Sequence, residues 1–326
     1  MPLTPPPVFP GAAWIHRTPR EVGLDPGPLE ELAARAGGAG CVVRHGFLAY
    51  AWGPVQEKRD WASAAKPVLS TLLLFAVRER ILPATRSRVD ERGWDLIEKD
   101  RTMTFRHLAD MVSGYSCGEA PGAAWGYNDF GIQLYALALE KLFGEPLDAA
   151  LTRRLRPLGL EDGSVFSSRG GRGVTTTPRD FARLGWLWLN RGMWEGQALL
   201  PAGLWSDEAR PAVPVTLPRT RLPGTDYLKI GTYGGGTNQT PHGPGVYGLN
   251  FWFNEPAGMD GHRVWPALPP DTYQANGLWN RDTVTIIPSL GMVAAVRGAA
   301  MGAFEPGNQA GAANQALALL AQAVRS

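Results

Sequence analysis

Strand-like segments at both ends of the chain, separated by a long helical middle, constrain the fold more than any other feature. The strand-like runs are rich in β-branched and aromatic residues and cover residues 41–44, 47–52, 247–253, 273–279, 283–287 and 292–297. Apolar residues at helical spacing cover residues 28–35, 63–80, 129–142, 177–188 and 309–324. Since His45-Gly46 is a tight-turn signal between the first two runs, we expect one antiparallel sheet assembled from both ends. The predicted fold class is α+β, with helices flanking this sheet.

This order of segments predicts two lobes, which a chain of 326 residues is long enough to form. We expect residues 1–70 and 240–326 to build a discontinuous sheet lobe. Residues 71–239 are expected to build a separate helical lobe. Trp186 and Trp188 lie on one of the predicted helices, and we expect them to fill the core of the helical lobe.

Composition excludes several classes of function. The chain is 44% hydrophobic and 19% charged, with a net charge of +2, and no basic run could follow a nucleic-acid backbone. Its two cysteines, Cys41 and Cys117, are too few for a disulfide scaffold or a multi-cysteine zinc site, so we expect free thiols. No apolar segment is long enough to span a bilayer, and no basic-then-apolar secretion signal opens the sequence. We therefore expect a cytoplasmic protein without nucleic-acid or membrane partners.

The sequence also predicts that no cofactor or metal is bound. The five histidines show no paired spacing, and no glycine-rich phosphate loop follows a strand. His242 lies in a glycine-rich loop, where it either lines a cleft or is solvated, and the solvated position is favoured.

Ser63 and Lys66 form a Ser-x-x-Lys motif at the start of a predicted helix. Residues three apart lie on one helix face, so the lysine amine comes within reach of the serine hydroxyl. A serine needs a neighbouring base to act as a nucleophile, and a lysine is that base only if its pKa is lowered. Only five of the 32 basic residues are lysines, and an arginine here would stay protonated. The alternative is structural, with Ser63 as a helix N-cap and Lys66 as a solvated first-turn residue.

A second serine motif, Gly-x-Ser-x-Gly, spans residues 114–118. In α/β-hydrolases this nucleophile elbow lies between a strand and a helix. Here the preceding segment has a helical pattern and the following segment has the composition of a loop. We therefore expect Ser116 to be an ordinary loop residue.

Six short stretches carry a resemblance to a known family. They cover residues 62–66 (ASAAK), 103–108 (MTFRHL), 113–115 (SGY), 125–129 (WGYND), 173–183 (GVTTTPRDFAR) and 247–252 (YGLNFW). In order and spacing they resemble the serine β-lactamase and penicillin-binding-protein superfamily, in its class C-like branch of esterases, D-amino-acid peptidases and 6-aminohexanoate-dimer hydrolases. The resemblance implies a β-lactamase/transpeptidase-like fold, with an antiparallel sheet, an all-helical lobe and an active site in the cleft between them.

The resemblance also implies roles for individual residues. Ser63 would be the nucleophile, and Lys66 would take its proton directly or through Tyr127, which would relay a proton to the leaving group. Burial and the positive helix end are two reasons to expect a lowered pKa at Lys66. Backbone N–H groups of Ser63 and of the strand near Leu278 would form an oxyanion hole. Gly277 would let the backbone and the substrate approach closely.

Two positions depart from the family pattern. Asp129 stands where the second motif usually ends in asparagine, and its carboxylate could hold Lys66, raise the lysine pKa and favour a route through Tyr127. The third motif, usually Lys-Thr-Gly or His-x-Gly, is matched by Ala275, Asn276 and Gly277. Because alanine carries no charge to bind the carboxylate of a penicillin, efficient β-lactam hydrolysis is not favoured.

The expected function is hydrolysis of small esters through an acyl-enzyme on Ser63. Asp129, Asn276, Gly277, Leu278 and Trp279 are expected to support catalysis or bind the substrate, with Trp279 at the edge of the acyl pocket. The alternatives are an amide or peptide hydrolase of the 6-aminohexanoate or D-peptidase kind, a β-lactamase, and a catalytically idle protein that binds acyl compounds or peptides. The expected partner is a small ester or amide, and the oligomeric state is left open.

Overall fold

The structure, a computed structural model, describes residues 7–163, 173–232, 236–255 and 261–325, together with the backbone of residues 165–166. Its strands are β1 (Ala39–Arg44), β2 (Phe47–Trp52), β3 (Arg59–Asp60), β4 (Val165–Phe166), β5 (Val174–Thr176), β6 (Met193–Trp194), β7 (Gln197–Ala198), β8 (Tyr247–Gly248), β9 (Phe251–Phe253), β10 (Tyr273–Gly277), β11 (Asp282–Ile287) and β12 (Met292–Arg297). Its α-helices are α1 (Pro26–Ala36), α2 (Lys66–Arg78), α3 (Phe105–Ala109), α4 (Asp129–Phe143), α5 (Leu147–Leu155), α6 (Pro178–Leu189), α7 (Ala202–Glu208) and α8 (Ala312–Gln322).

The main sheet has seven strands in the order β2-β1-β12-β11-β10-β9-β8, and every pair in it is antiparallel. The early hairpin β1–β2 joins the late strands through β12, with Ala39 opposite Arg297 and Arg44 opposite Met292. The apolar side chains of β1, β11 and β12 are buried, which places these strands in the middle of the core. The predicted sheet assembled from both ends of the chain is confirmed.

Two strand-like segments form shorter strands in the structure than the sequence predicts. Residues 247–253 form a hairpin, β8 and β9, because Leu249 and Asn250 adopt left-handed φ angles of 47° and 63° between them. The strand predicted at 273–279 ends at Gly277, and Leu278 and Trp279 lie in the turn that follows. Trp279 is therefore a turn residue, and its expected place on a strand is wrong.

Capping residues and a tight turn set the ends of three helices, α6, α4 and α2. The Thr177 side chain accepts a hydrogen bond from the Asp180 N–H at 3.2 Å, which caps α6. Asn128 caps α4 in the same way, and Gly144 ends that helix with a φ of 65°. Before α2, the chain makes a short 3₁₀ turn at Ala62–Ala65, here called the Ser63 turn. The predicted helix at 63–80 is thus an α-helix preceded by a tighter turn.

Helices α2 to α5 pack on one another, as a helical lobe requires, but α6 does not belong with them. It lies against β1, β11 and β12, and its Gly185 approaches the side chains of Val284 and Val293. The expected packing of Trp186 and Trp188 among α2 to α5 is seen only for Trp188, whose indole N–H donates to Thr71 on α2 at 3.0 Å, whereas the Trp186 indole N–H donates to the Val8 carbonyl. The division into a sheet lobe of residues 1–70 and 240–326 and a helical lobe of residues 71–239 stays a prediction.

The Ser63 turn lies where the sheet meets the helices. It packs against β10 and β11 on one side and leads into α2 on the other.

Cys41 and Cys117 are both buried and free, as expected. Within the described ranges, none of the helices has both the length and the apolar composition to cross a membrane.

Candidate active site

Ser63 is held on a turn that is fixed on both sides. The Trp61 N–H donates to the Val174 carbonyl at 3.0 Å, and the Ala62 N–H donates to the Asp60 carboxylate at 2.7 Å. Ala62 has a φ of 46°, a left-handed conformation that is unfavourable for a residue with a Cβ atom. Backbone strain of this kind persists where the surroundings hold it, and it is frequent at functional sites.

Lys66 is the first residue of α2, and its side chain is only 5% exposed. Its Nζ lies 2.5 Å from Ser63 Oγ and 3.3 Å from a carboxylate oxygen of Asp129. Nζ also lies 4.9 Å from the centre of the Tyr127 ring. The structural alternative is therefore wrong: Lys66 is not solvated, and the residue at the N-cap of α2 is Ala65.

The environment of Lys66 raises its pKa above the ordinary value. Burial is the largest single influence and acts to lower the pKa, as the sequence suggested. Electrostatic attraction and hydrogen bonds from Tyr127 and Asp129 together outweigh burial. The expected lowered pKa is wrong, whereas the expected raising effect of Asp129 is confirmed. Lys66 is therefore an ammonium group at neutral pH.

Tyr127 is positioned by aromatic packing. Its ring stacks on Trp252 with centres 6.2 Å apart, and it meets Tyr247 edge-on at 6.4 Å. Trp279 approaches from the open side, with ring centres 5.4 Å apart. The next residue, Asn128, caps α4 and donates to the Tyr115 carbonyl at 2.6 Å, which fixes the backbone beside the tyrosine. These contacts hold the Tyr127 ring against Lys66.

Asp129 opens α4, where the positive end of the helix favours a carboxylate. One of its oxygens faces Lys66, and the other accepts a hydrogen bond from Gln239 at 3.0 Å. Its side chain is largely buried. The substitution of aspartate for asparagine thus places a fixed negative charge beside the candidate base.

The end of β10 forms the opposite wall of the site. A Cβ atom at Gly277 would lie 2.7 Å from the Trp61 carbonyl oxygen and 2.8 Å from the Ala64 nitrogen. The absence of a side chain therefore lets the strand press against the Ser63 turn, and the predicted close approach of a substrate stays a prediction. Beyond it, Leu278 and Trp279 are 53% and 36% exposed, which is unusual for large apolar side chains.

These groups surround a cavity of about 160 Å³. The predicted residues that line it are Ser63, Lys66, Tyr127, Asp129, Asn276, Leu278 and Trp279. Ala62, Gly173 and Gln239 also line it and were not predicted. Gln239 lies in the long glycine-rich loop, whose course carries no periodic signal in the sequence. Gly277 lies beneath the cavity wall, where it sets the spacing between strand and turn.

Two other candidates lie elsewhere. Ser116 has a φ of 55°, but within the fully described stretch 105–129 it follows a helix and precedes an irregular segment, so the elbow context is missing. His242 is not among the residues lining the cavity; it packs against Phe304 with ring centres 6.0 Å apart. Burial and the nearby Arg219 lower its pKa. Among the described residues, no group of three or more His, Cys, Asp or Glu side chains could hold a metal ion.

Comparison with known proteins agrees with this architecture. A family model described as Beta-lactamase matches residues 29–320 of the chain. A candidate 6-aminohexanoate-dimer hydrolase from Bacillus anthracis has 18% identity over 90% of this chain and 81% of that chain, with a TM-score of 0.64. A beta-lactamase from Mycobacterium bovis has 17% identity over 91% and 99%, with a TM-score of 0.63. EstCE1, a hydrolase with promiscuous acyltransferase activity, has 14% identity over 94% and 97%, with a TM-score of 0.63. No curated protein matches the sequence.

The fold is thus of the β-lactamase/transpeptidase class, in which an antiparallel sheet and a set of helices meet at a cleft. The matched region covers most of the sequence, and the chain belongs to the Beta-lactamase family. The predicted resemblance and fold class are confirmed. Identities this low to the solved structures establish the fold alone.

Proposed function

We propose that this protein is a serine hydrolase that cleaves small esters through an acyl-enzyme on Ser63. The observation that carries the proposal is the 2.5 Å hydrogen bond between Ser63 Oγ and the buried Lys66 Nζ in the wall of a cavity. In this contact the Lys66 ammonium donates to Ser63 Oγ, and it can accept the serine proton once it passes one of its own to Tyr127. Membership of the Beta-lactamase family supports hydrolysis by a serine nucleophile as the class of reaction.

Proton transfer in this site is a relay. Acylation by an ester needs no net proton, because the proton lost by Ser63 ends on the departing alkoxide. Lys66 takes the proton of Ser63 as it gives one of its own to Tyr127, and the Tyr127 hydroxyl gives its proton to the leaving oxygen. Lys66 and Tyr127 then have the charges with which they began. The raised pKa of Lys66 supports this relay over a resting neutral lysine.

The oxyanion of the tetrahedral intermediate would be bound by the backbone N–H groups of Ser63 and Leu278. Ser63 is the second residue of a 3₁₀ turn, where helical geometry provides no partner for the N–H group. Leu278 follows β10 at the point where Gly277 brings the strand against the Ser63 turn. One such donor lowers the barrier by on the order of 3 kcal/mol.

Charge in the cavity favours a neutral substrate. Among the described residues that line it, Lys66 is the cation, and it is already paired with Asp129. Ala275 is buried and uncharged, so the third-motif position offers nothing to a substrate carboxylate. The exposed Leu278 and Trp279 provide apolar surface for an acyl or alkyl group. We therefore favour uncharged esters over cephalosporins and penicillins.

Amide hydrolysis is a second candidate, favoured by the position of the Tyr127 ring against Lys66. A relay that ends on a tyrosine can protonate an amine leaving group, which amide cleavage requires. Acyl transfer to an alcohol is a related outcome, since the apolar rim at Trp279 would receive an alcohol as readily as an ester. Product analysis with an added alcohol separates transfer from hydrolysis.

The experiment is a panel of p-nitrophenyl esters, a p-nitroanilide and a chromogenic cephalosporin, assayed with wild type and Ser63→Ala. We expect turnover of the short esters by wild type and its loss in Ser63→Ala. A fluorophosphonate probe should add its mass to Ser63 in the wild-type protein. Ser116→Ala is the matched control, because it removes the rival serine and should keep full activity.

Three results would contradict the proposal. Full activity of Ser63→Ala would remove Ser63 from the reaction. Loss of activity only in Ser116→Ala would point to the elbow motif. Absence of both turnover and labelling in folded wild type would favour the idle, ligand-binding alternative.

A further inference from the structure

The turn between β10 and β11 has an unusual backbone. Leu278, Trp279 and Asn280 have φ angles of 47°, 54° and 82° in succession. L-amino acids avoid this left-handed region, and runs of it outside glycine are rare. Asparagine tolerates it better than leucine or tryptophan. The surrounding structure must therefore hold this turn in place.

Packing of the turn's own apolar side chains gives limited support. Leu278 is more than half exposed and Trp279 about a third, so burial holds neither side chain firmly. Trp279 does contact Tyr127 and Phe304, with ring centres 5.4 Å and 6.2 Å apart. These contacts orient its ring but do not account for the backbone of its neighbours.

A buried pair of asparagines holds the turn from below. The Asn280 N–H donates to the Asn276 side-chain oxygen at 3.0 Å, and the Asn276 amide donates back to the Asn280 side-chain oxygen at 2.7 Å. Both asparagines are buried. The second N–H of the Asn276 amide donates to Gln274 at 2.7 Å, and Gln274 donates to Thr285 on β11 at 2.9 Å. We call Asn276 and Asn280 the asparagine clamp.

This network leaves Asn276 without a free donor. Its amide has two N–H bonds, and both are used within the protein. Asn276 cannot donate to a substrate carboxylate or carbonyl unless one of these buried bonds breaks, which is costly. Its expected role as a substrate-binding residue is therefore not supported by its contacts.

We propose that the asparagine clamp positions the oxyanion site: it fixes the strained turn so that the Leu278 N–H faces Ser63 and the Trp279 ring borders the cavity. This inference rests on the proposed function, because it assigns the clamp a part in stabilising the transition state of acyl transfer. Asn276 and Asn280 act through the backbone of the turn and do not touch the reacting atoms.

The test uses Asn276→Ala, Asn280→Ala and Asn280→Gly, assayed with a p-nitrophenyl ester and an aryl boronic acid. The boronic acid forms a tetrahedral adduct on the serine and so reports the oxyanion site. Because loss of one oxyanion donor costs on the order of 10²- to 10³-fold in kcat, the alanine variants should lose at least roughly 10-fold. KM should stay within roughly three-fold, and boronate affinity should fall in proportion to kcat. Asn280→Gly should be less impaired than Asn280→Ala, because glycine adopts the φ of 82° without strain.

Asn314→Ala is the matched control. Asn314 is another buried asparagine whose amide donates to two backbone carbonyls, but it lies on α8 and does not line the cavity. It should lose stability without loss of kcat, when rates are corrected for the folded fraction measured by thermal unfolding. This separates a positioning role from a general effect of removing a buried amide.

Each outcome of this test either supports or overturns the proposed role of the asparagine clamp. A kcat loss in the clamp variants no larger than in Asn314→Ala would overturn the inference. A raised KM with unchanged kcat would also overturn it, because it would make Asn276 a substrate-binding residue. If the wild type is active and the clamp variants keep its kcat, this inference fails and the proposed function stands. If folded wild type shows no turnover or labelling, the proposed function fails and the inference fails with it.

Discussion

Gly277→Ala tests the close approach between β10 and the Ser63 turn. An added Cβ atom would lie 2.7 Å from the Trp61 carbonyl oxygen, 2.8 Å from the Ala64 nitrogen and 3.2 Å from the Asp282 carbonyl oxygen. All three are backbone atoms, which a side-chain rotation cannot move. Gly277 does not have a left-handed φ, so alanine introduces only the steric contact. The strand and the turn must therefore move apart.

The size of that movement sets the expected effect. The nearest contact is about 0.7 Å short of the 3.4 Å at which ordinary van der Waals contact begins. Because displacement of reacting groups by about 1 Å can cost roughly 10²-fold in rate, we expect kcat to fall by roughly 10- to 10²-fold. Overpacking of this kind also costs about 1–3 kcal/mol of stability.

The assay measures kcat and KM for a short p-nitrophenyl ester, together with the free energy of unfolding in urea. Two glycine variants serve as controls. Gly203→Ala on α7 meets no atom within 4 Å and should leave both properties almost unchanged. Gly185→Ala on α6 would bring its Cβ to 2.6 Å from Val293 Cγ1, so it should lose stability but keep kcat. Wild-type kcat in a folded Gly277→Ala protein would refute the reasoning.

Three further predictions concern the charge beside Lys66, the apolar rim of the site and a buried ion-pair network outside the site. Asp129→Asn should lower the pKa of Lys66, because it removes the opposite charge 3.3 Å from Nζ. The relay starts from the Lys66 ammonium, so kcat/KM should fall as pH rises through the lysine pKa, and in this variant that fall should begin at lower pH. An identical pH profile would contradict the relay. Because a raised lysine pKa stabilises the fold below the ordinary value of 10.5 and ceases to do so above the raised pKa, this variant should also be less stable at neutral pH. Trp279→Ala should reduce kcat/KM for a hexanoyl ester by roughly 10-fold more than for an acetyl ester, since it removes apolar surface; equal losses would show that the ring does not contact the acyl chain. Arg106→Ala should cost about 3–5 kcal/mol in urea unfolding, because Arg106 pairs with two mostly buried carboxylates. Arg86→Ala, which removes an exposed partner 3.9 Å from one of them, should cost less than about 1 kcal/mol, and equal costs would contradict the role of burial.

Much of the sheet could be predicted because its signals are local. The strands at Phe47–Trp52 and Met292–Arg297 have the predicted bounds. Both begin directly after a turn that contains glycine with a positive φ, Gly46 in one case and Gly291 in the other. Such turns need little support from the rest of the molecule.

The missed turns depend on tertiary structure. Leu249 and Leu278 both adopt left-handed φ angles, although leucine carries no turn signal and fits the pattern of a strand. The contacts that hold Leu249 include a hydrogen bond from its N–H to Asp110, which is distant in sequence. No local pattern could reveal these turns, so two strands were predicted too long.

Only part of the candidate site could be predicted from the sequence, because the rest depends on tertiary structure. The meeting of Ser63, Lys66, Tyr127 and Asp129 was expected from motif order and resemblance, and the structure brings their side chains together. The direction of the Lys66 pKa was not settled by sequence, because it depends on how closely Asp129 approaches. The contacts of Asn276 were also missed, since they require a turn whose conformation the sequence does not indicate.

The interleaved order of the main sheet has a consequence for synthesis of the protein on the ribosome. β1 emerges early, but its neighbour β12 emerges only after most of the chain has been made. Until then one edge of the first hairpin is open to pairing with other chains. The Ser63 turn likewise lacks the wall that β10 forms until β10 has been made. Nascent chains are therefore expected to be inert and prone to aggregation until the final strands leave the exit tunnel, so slow translation would harm the yield of active protein.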